Sequence, residues 1–403
     1  PKDKNLYATT RYEITRLKDT DADGREDVFE NVNDGWGVSG DYHEYAIGSR
    51  FDQKGDLWVT LCLTGSFSSQ VPFRGWALRI TPEGKMVPTC SGIRSPGGIG
   101  FDADGEAYYC DNQGPWHGSC TLQHLVPGSF QGHPGGNIWY DLAPNMGPRP
   151  IDPIPEAFQG ERGRKEARPG GDPDRMVAER ARIKELLPPA VYLVHGKIGN
   201  SASAIICDTS GGKFGPFAKQ LFIADQSHSN LSRVFLETEN GIKQGAVIPF
   251  RGGFTSGLTS GLIGGRMDEE GRVFVGGSDR GWGARGGKPF CFEKCEWTGK
   301  TPFEIHEMHA RPDGFELTFT HPVDPASAGD VKSYAMREFT YAYREQYGGD
   351  EIDEVIPKIT AAQMAPDGKS VRLTLSPLTK GHIHELHLDG VKDLGGDPLL
   401  HPM

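Results

Sequence analysis

Short runs of alternating apolar and polar residues fill this chain, and one combination recurs. An apolar residue is followed by Asp, two further residues, Gly and a strand-like run, as in "FDQKGDLWVTLC" from Phe51, "FDADGEAYYCDN" from Phe101 and "MDEEGRVFVGGS" from Met267. Glycine supplies the positive φ that a tight hairpin turn needs, and alternation with a period of two is typical of strands with one buried face. The pattern therefore predicts a series of β-hairpins.

The spacing of these hairpins predicts an all-β architecture in two parts. The first two copies start at Phe51 and Phe101, and repetition every ~40–50 residues is typical of propeller blades. We therefore predict a six-bladed β-propeller over residues 1–299. Its first blade can be incomplete, because the chain opens almost directly in the strand "YEITRL". From residue 300 to 403, short alternating strands such as "GFELTFTHPV" and "KSVRLTL" predict an Ig-like β-sandwich.

A long insertion interrupts the predicted propeller at about residues 141–187. Its first part is rich in Pro, Gly and charge, and "RMVAERARIKELL" then has helical spacing. Four residues are available for one helix face: Met176, Ala181, Ile183 and Leu186. A loop of this length is usually functional or disordered, and we expect a partial lid.

Composition supports a turn-rich protein and excludes some partners. The 403 residues include 55 Gly and 29 Pro, and the net charge is −11. No basic stripe is present, so nucleic acid is not an expected partner, and no apolar run reaches the ~20 residues of a membrane span. The chain begins at Pro1 with neither Met nor a signal peptide, from which we expect a processed or partial product.

The seven cysteines are compatible with two interpretations. Cys110 with Cys120, and Cys291 with Cys295, each lie close enough in sequence to pair, and the alternative is that all are small buried thiols in strands. Neither CxxC nor CxxCH occurs, so no zinc ribbon or covalently attached haem is predicted.

The acidic stretch "DTDADGREDVFE" matches the spacing of an EF-hand calcium loop. Its candidate ligands are Asp19, Asp21, Asp23, Asp27 and Glu30. An EF-hand needs flanking helices, whereas "YEITRL" before this loop alternates like a strand and turn residues follow it. We therefore predict a hairpin connection that holds a structural calcium ion, with a solvated acidic turn as the alternative.

The densest cluster of candidate chemistry runs from Ser91 to Pro134. "SGIRSPGGIGFD" is a glycine-rich turn that carries Arg94, and "DNQGPWHG" places Gly114 and Pro115 where a strand leaves for a loop. Backbone carbonyls in such a loop can face a cation without any carboxylate. Three side chains add a polar group, a stacking surface and a titratable ring: Gln113, Trp116 and His117.

Three blocks in this region, "GIRSPGGIGFD", "DNQGP" and "PGSFQGHP", resemble those of the soluble quinoprotein glucose/sorbosone dehydrogenases. These are six-bladed propellers that bind pyrroloquinoline quinone (PQQ) and calcium. The whole chain is also similar to large exported planctomycete-type proteins of the membrane-bound dehydrogenase or haem-binding propeller kind. The resemblance implies that Arg94 faces the quinone and that the Gly114 and Pro115 carbonyls bind calcium. It implies that Arg280 and Arg285 replace the late arginines of the family.

The resemblance also implies oxidation of a sugar or polyol. The histidine that acts as base in the family has two counterparts here, because His43 lies one residue too far from Phe51 and Glu44 occupies the aligned position. One of them would take the hydroxyl proton while hydride passes to the quinone, and Arg94 would stabilise the developing charge. Such a protein would work in the periplasm or at the cell surface, with a c-type cytochrome as an electron acceptor.

Two other functions use the same residues differently. A metal-dependent polysaccharide lyase would need several histidines at the propeller axis, for which the candidates are His43, His117, His195 and His228. A non-catalytic carbohydrate-binding or cell-surface assembly module is favoured by the family lysine that is missing near Ser227 and His228. In that case Arg94 supports its turn through a buried ion pair, and His43 pairs with Asp41 or Glu44.

Overall fold

The computed structural model describes residues 2–41, 43–63, 69–153, 175–251, 257–279, 281 and 283–403, and these residues form an all-β protein. They fold into two compact units. The first unit is drawn from Pro1–Gly118, Leu122–Pro188 and Tyr343–Gly348, and the second from Ser119–Thr121, Pro189–Ala342 and Gly349–Met403. No helix in the described residues is long and apolar enough to cross a membrane.

The strands up to His124 form consecutive antiparallel sheets. Their order is β1-β2-β3, then the four-stranded β4-β5-β6-β7, then the succession β8-β9-β10. The bounds are β1 (Leu6–Thr9), β2 (Ile14–Lys18), β3 (Val28–Asn33), β4 (Ala46–Phe51), β5 (Leu57–Leu61), β6 (Trp76–Ile80), β7 (Met86–Ser91), β8 (Pro96–Phe101), β9 (Ala107–Asp111) and β10 (Cys120–His124).

The later strands belong to the second unit. They include the four-stranded sheet β12-β13-β14-β15, the three-stranded β16-β17-β18, and the sheets β19-β20-β24-β23 and β22-β21-β25. The bounds are β11 (Val191–Leu193), β12 (Ala202–Cys207), β13 (Leu221–Asp225), β14 (Asn230–Glu239), β15 (Ile242–Arg251), β16 (Gly264–Met267), β17 (Val273–Ser278), β18 (Phe290–Cys295), β19 (Ile305–Arg311), β20 (Gly314–Phe319), β21 (Ala335–Thr340), β22 (Ile352–Val355), β23 (Lys358–Met364), β24 (Ser370–Ser376) and β25 (Ile383–His387).

Helices among the described residues are short. They are α1 (Met176–Arg182), α2 (Pro325–Ala328) and the 3₁₀ segments Pro134–Leu142, Pro144–Met146 and Val331–Ser333.

The predicted hairpin turns are confirmed, and an aspartate organises each of them. Asp52 Oδ1 accepts the N–H groups of Lys54 (2.9 Å) and Asp56 (3.0 Å), and Asp102 and Asp268 accept two N–H groups in the same way. The glycine of each turn has the expected positive φ: Gly55 (+92°), Gly105 (+84°) and Gly271 (+78°). The sequence motif predicts the turn because all its hydrogen bonds lie within five residues.

The acidic stretch is also a hairpin connection, as predicted. It joins β2 to β3, which pair antiparallel with Lys18 opposite Val28. Glu30 lies on β3, where its carboxylate pairs with Arg16 and Lys18. Position twelve of the EF-hand pattern is therefore already occupied by a cross-strand ion pair.

The predicted sandwich strands are present, but they do not form a separate Ig-like domain. The two sheets of β19 to β25 enclose a core that includes Leu317 and Val371, and Ile248 of β15 belongs to the same core. This apolar cluster therefore includes residues on both sides of residue 300. The predicted division into residues 1–299 and 300–403 thus differs from the two compact units, and it stays a prediction.

A buried arginine fastens β14 to β19 within the second unit. Arg233, which is 1% exposed, donates to the Gln220 side-chain oxygen at 2.6 Å, to the His306 carbonyl at 2.9 Å and to the Ile305 carbonyl. Its guanidinium carbon lies 4.1 Å from the centre of the Phe217 ring. A fixed five-donor fork suits this site because it can donate to several oxygens of neighbouring strands at once.

Four of the seven cysteines are buried: Cys62, Cys90, Cys110 and Cys120. Burial raises the pKa of the Cys62 and Cys90 thiols to about 12. These two side chains are therefore small core residues rather than nucleophiles.

The described end of the insertion packs into the first unit. Ile183 and Leu186 are buried with Trp116 and Phe130. The predicted helix face is not formed, because α1 ends at Arg182 before these two residues, and Ala181 is exposed. Residues 154–174 of the insertion lie outside the described residues. A partial lid stays a prediction.

We expect Arg233→Met to lower the free energy of unfolding by about 2–4 kcal/mol, because the Ile305 carbonyl loses its guanidinium donor and the His306 carbonyl loses one donor while it keeps that of Gln220. Urea denaturation followed by tryptophan fluorescence measures the change. The control Arg272→Met removes an exposed ion pair and should cost no more than about 1 kcal/mol. Equal losses in the two variants would contradict the fastening role.

Candidate functional site

A fully buried carboxylate organises the candidate loops in the first unit. Asp111, the last residue of β9, accepts the backbone N–H groups of Arg94 (2.9 Å) and Ser95 (2.7 Å) and the hydroxyl of Tyr109 (3.0 Å). Burial, followed by the Asp111 charge, raises the pKa of Tyr109 well above its usual value, so the hydroxyl stays a donor. The glycine-rich turn before β8 is thereby fixed to the end of β9.

Arg94 lies across the backbone of the loop that follows Asp111. Its Nη1 donates to the Gln113 carbonyl at 2.8 Å. A Cβ on Gly114 would lie 2.1 Å from the Arg94 guanidinium carbon, so only glycine permits this approach. Arg94 Nε is buried and has no hydrogen-bond partner in the described part of the chain.

Residues Tyr343–Gly348, "YREQYG", cover this loop, and we call them the 343–348 strap. The backbone N–H of Trp116 donates to the Arg344 carbonyl at 2.8 Å, and the N–H of Gly348 donates to the Gly114 carbonyl at 3.1 Å. These two backbone hydrogen bonds attach the strap to the candidate loop near both of its ends.

One β-bridge and two side-chain contacts add to these hydrogen bonds between strap and loop. Pro115 and Tyr347 form an antiparallel bridge, and the Arg94 guanidinium carbon lies 5.0 Å from the centre of the Tyr347 ring. The Tyr343 and Trp116 rings meet edge to face at 5.1 Å. The strap therefore contacts Trp116 and the three residues of this loop that the resemblance assigns to the quinone or its calcium: Arg94, Gly114 and Pro115.

Two histidines near the loop are buried and neutral. His117 Nε2 lies 3.5 Å from Asp111 Oδ2, yet burial lowers the His117 pKa more than this carboxylate raises it. His133 Nδ1 accepts the N–H of Gly135 at 3.1 Å, and burial holds the pKa of His133 well below its usual value. Both rings are therefore in place as neutral imidazoles at neutral pH.

The two candidate bases lie in different environments. The His43 side chain is 51% exposed, and its backbone N–H donates to Asp41 Oδ1 at 2.8 Å. Glu44 is 3% exposed, and its Oε2 lies 3.9 Å from Nε of Arg74, which is 0% exposed. The Glu44 carboxylate thus neutralises a buried arginine.

The later candidates belong to the second unit or lie outside the described residues. Arg280 is among the latter. The backbone N–H of Arg285 donates to the Ser227 carbonyl at 2.9 Å. The His228 N–H donates to Asp225 Oδ1 at 2.8 Å, and burial lowers the pKa of His228. In this unit the Cys120 thiol lies 3.9 Å from His195 Nδ1.

The acidic turn brings three of its predicted ligands together. Asp19, Asp21 and Asp23 offer oxygens that all lie within 4.8 Å of one another. The other two predicted ligands have other partners: Asp27 accepts from Thr20, and Glu30 pairs with Arg16 and Lys18. Across the part of the chain that the structure describes, no histidine-containing group of three or more ligands comes this close, so the proposed histidine metal centre is not formed there.

The arrangement does not fit the calcium and quinone that the resemblance implies. The Gly114 carbonyl accepts two N–H groups, from His117 at 3.0 Å and Gly348 at 3.1 Å, which use both lone pairs of the oxygen. The Tyr347 ring covers the face of Arg94 that a quinone would need. The loop is therefore closed to a cation and to a planar anion while the strap is in place.

Sequence reasoning missed three contributors to this site. Asp111 lies in the quoted "YYCDN", and a buried aspartate directly after an apolar strand was a usable signal. Arg74 in "FRGW" and the strap in "YREQYG" carry no local signal, because their partners are distant in the sequence.

No family model matches the chain, and no curated protein matches it. Among solved structures, the chain is similar to a protein from Thermus thermophilus described as an oxidoreductase of the glucose dehydrogenase kind, with 20% identity, a TM-score of 0.47, and coverage of 73% of this chain and 80% of that one. It is also similar to the PQQ-bound aldose sugar dehydrogenase of Streptomyces coelicolor, with 15% identity, a TM-score of 0.46, and coverage of 73% and 76%.

A third similarity is to the PQQ domain of the pyranose dehydrogenase of Coprinopsis cinerea, with 10% identity, a TM-score of 0.43, and coverage of 72% and 79%. The chain is thus similar, at low sequence identity, to three solved sugar dehydrogenase structures. Similarity at this level concerns the fold, whereas the closed Arg94–His117 loop concerns the cofactor directly.

The neutral histidines predict a pH-dependent stability. Because the folded pKa of His133 lies below the ordinary value of ~6.5, the unfolded state binds the proton first as the pH falls. Stability should therefore drop below about pH 6.5. His133→Asn keeps a cap acceptor and should reduce this slope by up to ~1.4 kcal/mol per pH unit in urea denaturation. A slope that is the same in His133→Asn and in the unaltered chain would contradict the assignment.

The acidic turn carries a calcium prediction. Changing Asp19, Asp21 and Asp23 to Asn should abolish any rise in melting temperature that millimolar calcium gives, since the three substituted side chains would carry no negative charge for the ion. Three exposed aspartates provide a control of equal charge: Asp34, Asp141 and Asp389. A calcium-induced shift that survives the first triple variant, or its absence from the unaltered chain, would contradict a calcium-binding turn.

Proposed function

We propose that this chain is a non-catalytic binding module that takes a carbohydrate ligand. The observation that carries the proposal is the 343–348 strap, whose N–H and aromatic ring engage the Gly114 carbonyl and Arg94. A dehydrogenase of the quinoprotein kind would need both groups for its cofactor. The function is then carried by a surface elsewhere in the molecule.

The exposed face of sheet β16-β17-β18 is the surface best suited to bind sugar. Phe290 and Phe292 are 76% and 79% exposed, and the Phe274 and Phe292 rings stack at 5.9 Å with an interplanar angle of 20°. The apolar C–H face of a pyranose can pack on such rings and displace the water that they order. Exposed aromatic rings in a cluster are typical of an interaction surface.

The floor beside these rings is flat. Gly264 and Gly276 pair across β16 and β17, and a Cβ at Gly264 would meet nothing within 4 Å. On the same face, Arg266 and Lys294 lie opposite Phe274 in the ladder. Hydroxyl groups of a bound sugar would therefore have donors at the edge of the aromatic surface.

We also propose the wider architecture of this module. The sheets before residue 300 would be blades of a six-bladed β-propeller, and β19 to β25 an Ig-like sandwich attached to it. The module would act in the periplasm or at the cell surface, where polysaccharides are accessible.

A second candidate is a PQQ-dependent sugar dehydrogenase with calcium, passing electrons to a c-type cytochrome. The buried Arg94 Nε, which has no partner in the described residues, favours it, because an orphaned donor is costly unless a ligand satisfies it. Arg94, Gly114 and Pro115 would then hold the cofactor, which would accept the hydride, and the strap would have to leave first.

Affinity electrophoresis on neutral and acidic polysaccharides tests the binding proposal. The unaltered chain should be retarded by at least one of them, and Phe290→Ala with Phe292→Ala should reduce the association constant about tenfold or more, since each stacked ring contributes ~1 kcal/mol. Phe29→Ala with Leu142→Ala removes two apolar side chains that are also exposed, and should bind normally. Retardation by none of the polysaccharides, or equal losses in both double variants, would contradict the proposal.

A further inference from the structure

We infer that the 343–348 strap is an intramolecular occupant of the Arg94–His117 loop, which excludes calcium and a planar anionic quinone until the strap is released. The loop and the strap both belong to the first unit. The inference concerns this loop alone and does not depend on sugar binding at the aromatic face.

The main chain of the strap occupies the position of a metal ion at Gly114. A carbonyl oxygen offers two lone pairs, and the N–H groups of His117 and Gly348 take both. Calcium needs six to eight oxygen ligands, so the loss of a carbonyl is a loss from the shell that the loop could offer. Release of Gly348 would return one lone pair to this oxygen.

The side chains of the strap occupy the position of the planar anion. The Tyr347 ring lies over the Arg94 guanidinium with 5.0 Å between the ring centre and the guanidinium carbon. An aromatic face attracts a cation through its quadrupole and supplies no hydrogen-bond acceptor to the guanidinium. The Arg94 Nε donor therefore stays without a partner in the described residues, as expected if the ring substitutes for a ligand with acceptors.

The strap can be released without unfolding the loop beneath it. The turn around Arg94 is held by Asp111, whose three hydrogen-bond donors come from Arg94, Ser95 and Tyr109 and not from the strap. Tyr347 itself is 68% exposed. Release of the Tyr347–Gly348 end of the strap leaves the buried carboxylate network intact, and Tyr343 can stay in its apolar cluster with Trp116.

The double variant Tyr347→Ala with Gly348→Ala is designed to open the strap. The first change removes the ring over Arg94. Gly348 has φ +62°, which a side chain strains, and a Cβ there would lie 2.8 Å from Gln113 Cδ, so the second change weakens the seating of the strap on the loop. The matched control is Tyr12→Ala with Gly368→Ala, since Tyr12 is 44% exposed and Gly368 has φ +70° with nothing within 4 Å of an added Cβ.

Two measurements on the full chain test the inference. Hydrogen exchange at the Trp116 and Gly348 amides reports strap opening, because both N–H groups are bonded between strap and loop. Equilibrium dialysis with PQQ and calcium, each also tested alone, reports binding. The variant should exchange the Trp116 amide at least tenfold faster than the control and bind PQQ with calcium at least tenfold more tightly.

The outcomes separate this inference from the proposed function. If the opened variant exchanges faster but binds no better than the control, the strap is not what excludes the ligand, and the inference fails while the non-catalytic proposal stands. If the unaltered chain binds PQQ with calcium and its strap amides lose protection on binding, the inference stands and the non-catalytic proposal fails. Binding by the unaltered chain with the strap amides still protected overturns both.

Discussion

The candidate site depends on one buried carboxylate. Asp111 is 0% exposed, and an isolated charge there would be prohibitively costly. Three hydrogen bonds compensate this cost, and each comes from a different structural position: the turn at Arg94, the next residue Ser95, and the β9 residue Tyr109. Because these donors must converge on one carboxylate, the turn before β8 and the end of β9 have a single mutual arrangement. The loop of Gly114 to His117 follows from that point.

The 343–348 strap then supplies hydrogen-bond partners for backbone groups of this loop. Tyr343 and Trp116 pack with the end of the insertion in one apolar cluster, and the Tyr343 hydroxyl bonds to the Gly132 carbonyl 211 residues away in sequence. The strap satisfies backbone groups and covers a cation in the same contact. A loop whose sequence resembles a cofactor site is thus converted into a packed surface.

In the second unit, too, a distant part of the chain satisfies backbone groups. A sandwich appended to a propeller needs only a linker, yet here the carbonyls of β19 are satisfied by Arg233 of β14, and Ile248 extends the sandwich core. Cores that merge in this way unfold together, because neither can lose its partner without exposing apolar surface. The change in strand rhythm near residue 300 thus falls within a region whose two sides share one apolar core.

The sequence by itself determined the features whose hydrogen bonds are local. The aspartate–glycine turns, the hairpin around the acidic stretch and the order of strands follow from contacts within a few residues, which composition and alternation encode directly. Tertiary structure decided which groups of the candidate site remain available. Arg94, Gly114 and His117 were identifiable as a cluster, but their closure by Tyr347 and Gly348 depends on contacts across more than two hundred residues. No local pattern specifies such contacts, since a segment's partner is set by packing of the whole chain.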